Sequence, residues 1–531
     1  MRIARLTARS SASPLSRLAA LAVMAAGLAV AGAPAAVVAG APPTAAADSN
    51  GRLPGAGPAV TRPATPPTFT PCRLQHPSGL AAFAAECTTL RVPENPSQPG
   101  GRSIELSIAR VPAISRRKAL DPVFLIAGGP GMGSQAMYPT VAAAFARIGR
   151  ERDLVLVDQR GTGGSAALDC EFGEDELAEV EPAAVPALAR RCLDALTARP
   201  QDVRQYTTSI AVQDLERVRV ALGYGWINLY GVSYGTRVAQ HYLRRHPKAV
   251  RSVILDGVVP PQLVLGPAMA LDAEAALTRI LARCAADAAC AQAFGDPALR
   301  YRSLRAALET QPVDLSVADP ATGTPRTLRF GARHLGAVLR LASYGDAQAS
   351  LLPMALHEAQ VKRNFTPLAG LFLISTSGLR DTVAFGMNST VVCAEDIPFV
   401  DAARIDRAAL AGTYLGTEML DSLRAICSVW PRGPVDADFR EPLTSDVPVL
   451  LLSGSDDPVT PPSNAVAAMP GLRHARHLVI DGEGHGQLGV TCMDRVMAEF
   501  VRDADPAKLD ASCLKRARPA PFFTSPSGPP P

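Results

Sequence analysis

The sequence predicts an α/β protein in which helices flank a mostly parallel sheet and a large helical insertion interrupts it. Near-continuous runs of Val, Ile and Leu, typical of strands buried on both faces, alternate with segments of helical periodicity. This alternation stops between residues 259 and 444, where Ala-, Leu- and Arg-rich helical patterns dominate. The chain has 531 residues, 47% of them hydrophobic, so it can bury a large core. The strand-like runs are SIELSIARV, PVFLIAGG, DLVLVD, INLYG, SVILDG, VPVLLLSG and RHLVIDG.

Residues 1–47 are predicted to be a secretory signal peptide. Arginines precede a long uncharged run of Ala, Leu, Val and Gly, and small residues lead to Ala47, after which we expect cleavage. An uncleaved membrane anchor is the alternative, although the alanine content makes this run a poor anchor. We therefore expect a periplasmic or extracellular protein without stable membrane association.

The rest of the chain divides by composition into five segments. Residues 48–67 are rich in Pro, Gly and Ala and are predicted to be an extended leader. Residues 68–258 and 445–515 carry the strand-like runs and are predicted to form the two parts of the α/β core. Residues 259–444 are expected to form a mainly helical cap over the sheet. Residues 516–531 are predicted to be a disordered tail.

Charge and motif content exclude several kinds of function. The formal net charge of +4 comes entirely from four arginines in the predicted signal peptide, so the mature chain is neutral. Binding to nucleic acid therefore has no compositional support. Neither a C-x-x-C pair nor an H-E-x-x-H motif occurs, and we expect no metal and no cofactor.

The ten cysteines indicate disulfide bonds, as expected of an exported chain. Their order along the chain favours pairing between neighbours, which leaves no free thiol. The expected pairs are Cys72 with Cys87, Cys170 with Cys192, Cys284 with Cys290, Cys393 with Cys427, and Cys492 with Cys513.

A candidate nucleophile lies in the stretch INLYGVSYGTRVAQHYLRRHP, residues 227–247. Ser233 stands between Gly231 and Gly235 where a strand-like run gives way to a helix-like run. The two glycines give clearance to a strained residue at the apex of such a reversal, the arrangement known as a nucleophile elbow. An ordinary turn with a glycine-flanked serine is the alternative, so the assignment also needs partner residues.

The partners are expected in loops that directly follow strands, because ligands of open α/β sheets bind beyond the carboxyl ends of the strands. In FLIAGGPGMGSQ the backbone N–H of Gly129, together with that of Tyr234, could form an oxyanion hole. A phosphate-binding loop is the alternative, but no G-K-[ST] follows. In the neighbouring loop LVLVDQRGTGGS, we expect Asp158 and Arg160 to brace the glycine loop.

Two later loops supply an acid and a base. Asp457 follows a strand in LLLSGSDDPVTPPSNA, and His485 lies between glycines in VIDGEGHGQLG. Asp456 and Asp481 are rival acids, and either could instead stabilise a turn. The order Ser233, Asp457, His485 is that of an α/β-hydrolase catalytic triad.

The motifs GGPG, DQRGTGGS, GVSYG, GSDDPVTPP and GEGHG resemble the exported tripeptidyl aminopeptidases and proline iminopeptidases. These are α/β-hydrolase serine exopeptidases, and the similarity runs from about Cys72 to Cys513, including a C-terminal segment like the family's TAP-like domain. The resemblance implies peptide substrates with a free N-terminus. One position departs from the pattern: the family usually has histidine before GGPG, where this chain has Ala127.

The resemblance also implies a cap carboxylate that binds the α-ammonium group of the substrate. The matching segment is STVVCAEDIPF, so Glu395, with Asp396 beside it, is the candidate substrate-binding pair. A fixed carboxylate distinguishes a free N-terminus from an internal peptide bond because it pairs with –NH₃⁺. An exposed acidic pair on a disulfide-bonded loop is the alternative.

The sequence thus predicts a secreted serine aminopeptidase that acts through an acyl-enzyme. Ser233 rather than an aspartate at the elbow disfavours epoxide-hydrolase or dehalogenase chemistry. A carboxylesterase with the same triad is the alternative enzyme, and a secreted non-catalytic binding protein is the alternative from another class.

Overall fold

The computed structural model describes residues 66–76, 79, 81–173, 176 and 181–529. The predicted signal peptide, and the predicted leader apart from residues 66 and 67, lie outside the described residues. No helix in these described ranges is both long enough and apolar enough to cross a bilayer.

Nine strands form one sheet in the order β1-β2-β3-β5-β4-β6-β7-β10-β11. The pairs β1–β2, β2–β3 and β3–β5 are antiparallel, and the remaining neighbours are parallel. This arrangement confirms the predicted mostly parallel sheet. The strands are β1 (Thr70–Gln75), β2 (Ala82–Pro93), β3 (Ser103–Val111), β4 (Val123–Ile126), β5 (Leu154–Val157), β6 (Ile227–Val232), β7 (Val250–Asp256), β10 (Val449–Gly454) and β11 (Ala475–Ile480).

The central strands bury apolar side chains on both faces of the sheet. In β7, Val253 packs into one core and Ile254 into the core on the opposite face, and Leu451 and Leu450 of β10 divide in the same way. Because successive strand residues point to opposite faces, burial of both faces requires continuous apolar runs. This is the physical reason that these strands were recognisable in the sequence.

Helices cover both faces of this sheet. Those of the core are α1 (Ser134–Val141), α2 (Val185–Thr197), α3 (Thr208–Ala221), α4 (Tyr234–Arg245), α15 (Pro462–Ala468) and α16 (Met493–Asp503). The most amphipathic, α16, buries Val496, Met497 and Phe500 at helical spacing and keeps charged residues outside.

The segment between β7 and β10 is mainly helical and has an apolar core of its own, which includes Leu277, Leu339 and Phe372. It also contains a two-stranded antiparallel hairpin, β8 (Val313–Ala318) with β9 (Pro325–Phe330), which the sequence reasoning did not predict. The cap helices are α5 (Met269–Ala286), α6 (Ala288–Phe294), α7 (Pro297–Thr310), α8 (Ala332–Ala342), α9 (Asp346–Ala349), α10 (Leu352–Lys362), α11 (Thr366–Thr382), α12 (Phe385–Glu395), α13 (Arg407–Ala411) and α14 (Glu418–Cys427).

The C-terminal tail differs from the expectation of disorder. Phe522 is buried against the cap beside Cys284 and Cys290, and the Arg283 guanidinium lies 5.3 Å from the centre of its ring. The backbone N–H of Ala520 donates to a carboxylate oxygen of the cap at 2.7 Å. Burial of Phe522 against the cap therefore orders this part of the tail, although the surrounding sequence is rich in Pro and Ser.

All five expected disulfide bonds are formed, and the described cysteines leave no free thiol. The bond between Cys393 and Cys427 joins α12 to α14 inside the cap. This bond therefore helps to fix the helix that ends at Glu395.

Candidate active site

Ser233 lies between β6 and α4 with a strained backbone, φ 55° and ψ −126°. A Cβ at Gly231 would lie 2.4 Å from the carbonyl oxygen of Gly235, and a Cβ at Gly235 would lie 2.4 Å from that of Ile126. Only glycine fits at either position, so the two glycines permit the reversal and the strain at Ser233. The Ser233 N–H donates to the carbonyl oxygen of Asp256 at 2.8 Å, which fixes the apex to the neighbouring strand.

Asp457 and His485 form a buried acid–base pair at the ends of β10 and β11. His485 Nδ1 lies 2.8 Å from Asp457 Oδ2, and the aspartate side chain is fully buried. The other oxygen, Oδ1, accepts the backbone N–H groups of Val459 and Thr460, both at 2.8 Å. The Thr460 hydroxyl donates to Asp457 Oδ2 at 2.7 Å. These bonds hold the carboxylate in one orientation toward the imidazole.

The pKa values of this pair move in opposite directions. Burial favours the neutral form of each group, but the charge and hydrogen bond between the partners outweigh it. The pKa of Asp457 is therefore lowered and that of His485 is raised. The aspartate stays ionised and stabilises a protonated imidazole, which is what a general base requires of its acid partner.

The rival acids have other partners. Asp456 pairs with Arg279 and Arg283 of the cap at 3.3 and 2.5 Å, and Asp481 accepts a hydrogen bond from Ser455. Of the three aspartates weighed from the sequence, Asp457 is the one that contacts His485.

Ser233 and His485 approach each other across the end of β7. While the Ser233 N–H bonds to Asp256, a Cβ built on the next residue, Gly257, would lie 3.0 Å from His485 Cε1. Within the described residues no hydrogen bond joins the serine hydroxyl to the imidazole. Such bonds are often long or poorly aligned before substrate binds, so the placement of both residues at the end of β7 is compatible with a nucleophile–base pair.

A further carboxylate, Asp256, connects the two sides of this arrangement. Its backbone oxygen accepts the Ser233 N–H, while its side chain accepts the N–H of Gln487 at 3.0 and 2.9 Å and the hydroxyl of Tyr230 at 2.8 Å. Burial raises the pKa of Asp256 to about 6. The negative charge of Asp256 also raises the pKa of His485. Asp256 therefore affects the histidine by its charge and by its hydrogen bonds to Gln487, which lies in the same loop as His485.

The glycine loop after β4 lies against the nucleophile. A Cβ on Gly128 would lie 3.0 Å from Ser233 Cβ, so the backbone comes as close as glycine allows. In the described part of the chain, neither the Gly129 N–H nor the Tyr234 N–H donates to a protein acceptor. Both donors are thus available to a substrate oxygen, as an oxyanion hole requires.

Other groups brace this loop although Ala127 replaces the family's histidine. The Ser134 hydroxyl accepts the Ala127 N–H at 3.3 Å, and Asp158 accepts the N–H groups of Gln135 and Gly164, each at 3.0 Å. Arg160 does not take part as expected. Its buried guanidinium instead pairs with Asp214 of α3.

The two cap carboxylates at the end of α12 have different environments. Glu395 is fully buried and accepts the backbone N–H of Thr208 at 2.7 Å and the Thr208 hydroxyl at 2.9 Å. The same hydroxyl lies 2.5 Å from the Tyr234 hydroxyl, so Glu395 is one side chain away from the residue after the nucleophile. Burial raises the pKa of Glu395 to about 7.

Asp396 does not fit the expected role in substrate binding. Both of its oxygens accept from the guanidinium of Arg237 at 3.0 Å, and one also accepts the Leu265 N–H at 2.9 Å. Asp396 and Arg237 are both buried, so this pair joins the cap to α4. The correction follows from packing: a buried arginine on α4 needs a carboxylate, and Asp396 supplies it.

Sequence reasoning missed three residues at this site. Asp256 follows the run SVILDG and could have been found by the same strand-end rule that identified Asp457. Thr208 and Tyr344, which accepts the His485 N–H at 2.7 Å, have no local signal because they reach the site only through tertiary packing. The described residues contain no group of His, Cys, Asp and Glu arranged to hold a metal ion.

Two family models match the chain. The alpha/beta hydrolase fold model matches residues 121–282, which contain Ser233, and the TAP-like protein model matches residues 412–513, which contain Asp457 and His485. With the sheet and the elbow described above, these matches show an alpha/beta hydrolase fold. They support a serine hydrolase whose C-terminal segment is similar to TAP-like proteins.

Three curated proteins are similar to different shares of the chain. Serine protease Hip1 of Mycobacterium tuberculosis is 26% identical over 84% of this chain and 91% of its own length. The tripeptidyl aminopeptidase of Streptomyces coelicolor is 31% identical over 33% of this chain and 35% of its own length. Carboxylesterase B of Mycobacterium tuberculosis is 28% identical over 89% of this chain and 94% of its own length.

Proposed function

We propose that the protein is an exported serine aminopeptidase that hydrolyses peptides from their free N-terminus. One observation carries the proposal: Glu395 is a fully buried carboxylate that receives hydrogen bonds from Thr208 but forms no ion pair with any described residue. A buried carboxylate without a cation is costly. The charge of Arg237 lowers the pKa of Glu395 in part, but its guanidinium is bonded to Asp396. A substrate ammonium group would supply a direct ion-pair partner for Glu395.

The chemistry follows from the geometry of the strand-end loops. His485 accepts the proton of Ser233 as the hydroxyl oxygen attacks the substrate carbonyl, and Asp457 stabilises the imidazolium that forms. The N–H groups of Gly129 and Tyr234 donate to the oxyanion. His485 then gives its proton to the departing amine, and water hydrolyses the acyl-enzyme by the same steps in reverse order.

Glu395 would select the substrate from the acyl side of this centre. Through Thr208 it is connected to the side-chain hydroxyl of Tyr234, the residue whose N–H is the proposed oxyanion donor, and it forms no contact with His485 among the described residues. The acyl part of an aminopeptidase substrate is the part that carries the free amine. Pairing of that amine with Glu395 would hold the scissile carbonyl over Ser233, whereas an internal peptide bond would leave the carboxylate unpaired.

The relatives support this proposal at the level of peptide hydrolysis. A serine protease matches most of the chain and a tripeptidyl aminopeptidase matches a third of it. The five disulfide bonds support export, since such bonds persist in oxidising compartments.

Ester hydrolysis is the second candidate function. A carboxylesterase matches 89% of the chain, and an ester needs only the serine, its acid–base partners and the oxyanion donors. The non-catalytic alternative has less support, because a nucleophile, an acid–base pair and free backbone donors all lie at the ends of the strands.

Turnover of a matched substrate set tests the proposal. It comprises one short peptide amide with a free N-terminus, the same peptide N-acetylated, and a short-chain p-nitrophenyl ester. We expect a much higher kcat/KM for the free amine than for the acetylated peptide. Equal hydrolysis of the two peptides would refute N-terminal recognition. Ester hydrolysis without peptide hydrolysis would favour the carboxylesterase, and no turnover at all would favour the binding protein.

A further inference from the structure

A cationic group of the cap lies near the end of a helix that packs on the loop of the catalytic histidine. Helix α8 ends against the His485 loop: a Cβ on Gly484 would lie 2.4 Å from the Tyr344 carbonyl oxygen. The His485 N–H donates to that same oxygen, and the Tyr344 and His485 rings meet edge to face at 5.3 Å. The end of α8 is therefore fixed relative to the imidazole.

Arg340, in the last turn of α8, is a buried arginine with an unused hydrogen-bond donor. Its side chain is 93% buried, at 7% exposure, and its Nη1 is enclosed without a hydrogen-bond acceptor. Its guanidinium carbon lies 5.8 Å from the centre of the Tyr344 ring. Across the described residues Arg340 forms no hydrogen bond and no ion pair. Asp272 influences it electrostatically without forming an ion pair with it.

A second unpartnered donor lies on the same face of α8. The Tyr414 hydroxyl is buried without a hydrogen-bond partner, and the residue is 7% exposed. Tyr414 packs on α8 at Gly336, one helical turn before Arg340, where a Cβ would lie 3.1 Å from the Tyr414 carbonyl oxygen. The charge of Arg340 also acts on the Tyr414 hydroxyl. Buried polar groups without partners are rare in folded proteins, and two neighbouring donors of this kind indicate a missing acceptor.

We propose that Arg340 and Tyr414 form a binding site for the carboxylate of the leaving group. The planar guanidinium fork matches a carboxylate, and a phenolic O–H can donate to the same group. The assignment to the leaving-group side rests on the proposed function, in which His485 donates its proton to the departing amine. When the substrate is a short peptide, that departing part ends in a free C-terminal carboxylate.

This inference gives a substrate class that neither the fold nor the catalytic residues specify. Glu395 would bind the N-terminal ammonium group of a short peptide on the acyl side. Arg340 would bind the C-terminal carboxylate on the leaving-group side. The enzyme would then favour free oligopeptides over C-terminally blocked peptides. An acidic side chain near the new N-terminus of the leaving peptide could supply the same carboxylate.

The test compares kcat/KM for three peptides that share a free N-terminus: a neutral peptide acid, its C-terminal amide, and the amide with a glutamate in the leaving part. The parent should prefer the acid to the plain amide. Arg340→Gln should lower kcat/KM for the acid by about 10- to 150-fold, the range for a charge-assisted hydrogen bond, and leave the amide within about twofold. A similar loss for the glutamate amide would identify a side-chain carboxylate as a second source.

Two further variants control for structural effects. Arg333→Gln removes a charge from the surface of the same helix, where Arg333 pairs with Glu418. This variant should leave kcat/KM unchanged for both the acid and the amide. Arg340→Lys keeps the charge without the fork and should give an intermediate loss for the acid. Equal losses for acid and amide in Arg340→Gln, or a parent with no preference, would overturn the proposal.

The carboxylate site can fail separately from the proposed function. If the parent hydrolyses esters but no peptide, the same acid and amide are measured as competitive inhibitors of p-nitrophenyl ester hydrolysis. The acid should inhibit the parent more strongly than the amide, and Arg340→Gln should abolish the difference. An acid that inhibits no better than its amide would refute the site in that setting too.

Discussion

The sheet and the cap hold the charged groups of the candidate active site by different means. On the sheet side, backbone groups fix the reacting residues: Ser233 through its N–H to Asp256, and Asp457 through two N–H groups of its own loop. On the cap side, groups from distant segments fix the carboxylates: the backbone N–H and hydroxyl of Thr208 bond to Glu395, and the guanidinium of Arg237 bonds to Asp396. The sheet therefore sets the geometry of the reaction, and recognition depends on how the cap packs against the core.

The largest expected effect lies on the sheet side. Ser233→Ala should lower kcat by about 10⁶-fold for peptide and ester alike, because no other hydroxyl can take its place at the elbow. Covalent labelling by a fluorophosphonate should disappear, while the thermal unfolding midpoint stays nearly unchanged, because alanine keeps the Cβ and the same backbone strain. Labelling that persists in this variant would show that another residue is the nucleophile.

The next effect separates the two cap carboxylates. Asp396→Asn should lower the free energy of unfolding by about 3 kcal/mol or more, since it leaves the buried Arg237 guanidinium without its charged partner. Glu395→Gln, which breaks no ion pair, should cost less than half of that in the same denaturant titration. Equal losses of stability in the two variants would mean that both carboxylates are structural.

A smaller effect on kcat is expected at Asp256, a buried residue that positions His485 through its hydrogen bonds to Gln487. Asp256→Asn should lower kcat by about 10-fold, because a charge-assisted hydrogen bond to the histidine loop is weakened. Removal of its negative charge should also lower the pKa of His485. The acid limb of the kcat/KM profile, below which the histidine is protonated and cannot act as base, should then move to lower pH. A fall in kcat with an unmoved acid limb would point to a purely structural role.

The sheet side was accessible to sequence reasoning because its signals are local. The continuous apolar runs before Ser233 and Asp457 mark strands buried on both faces. His485 follows β11, an edge strand of the sheet on which Val479 is exposed. Asp256 obeys the same rule and could have been included.

The cap side was less accessible because its contacts span large distances in the sequence. The family pattern drew attention to Glu395 and Asp396 together, but only packing separates them, since Arg237 is 159 residues away along the chain. The β8–β9 hairpin and the packed Phe522 also depend on cap neighbours rather than on their own composition. Arg340 drew no notice in the sequence for the same reason.

The most direct test of substrate recognition by the cap is a ratio measured as a function of pH. This ratio compares kcat/KM for a free-amine peptide with kcat/KM for the N-acetylated form of the same peptide. Protonation of His485 affects both substrates and cancels in the ratio. Because the pKa of Glu395 is raised to about 7, the carboxylate loses its charge as the pH falls through that value, and the parent's ratio should fall with it. In Glu395→Gln the ratio at pH 7.5 should be about 30- to 150-fold lower than in the parent, and nearly independent of pH. A ratio that is equally high in the variant and the parent would contradict recognition of the N-terminus by the cap carboxylate.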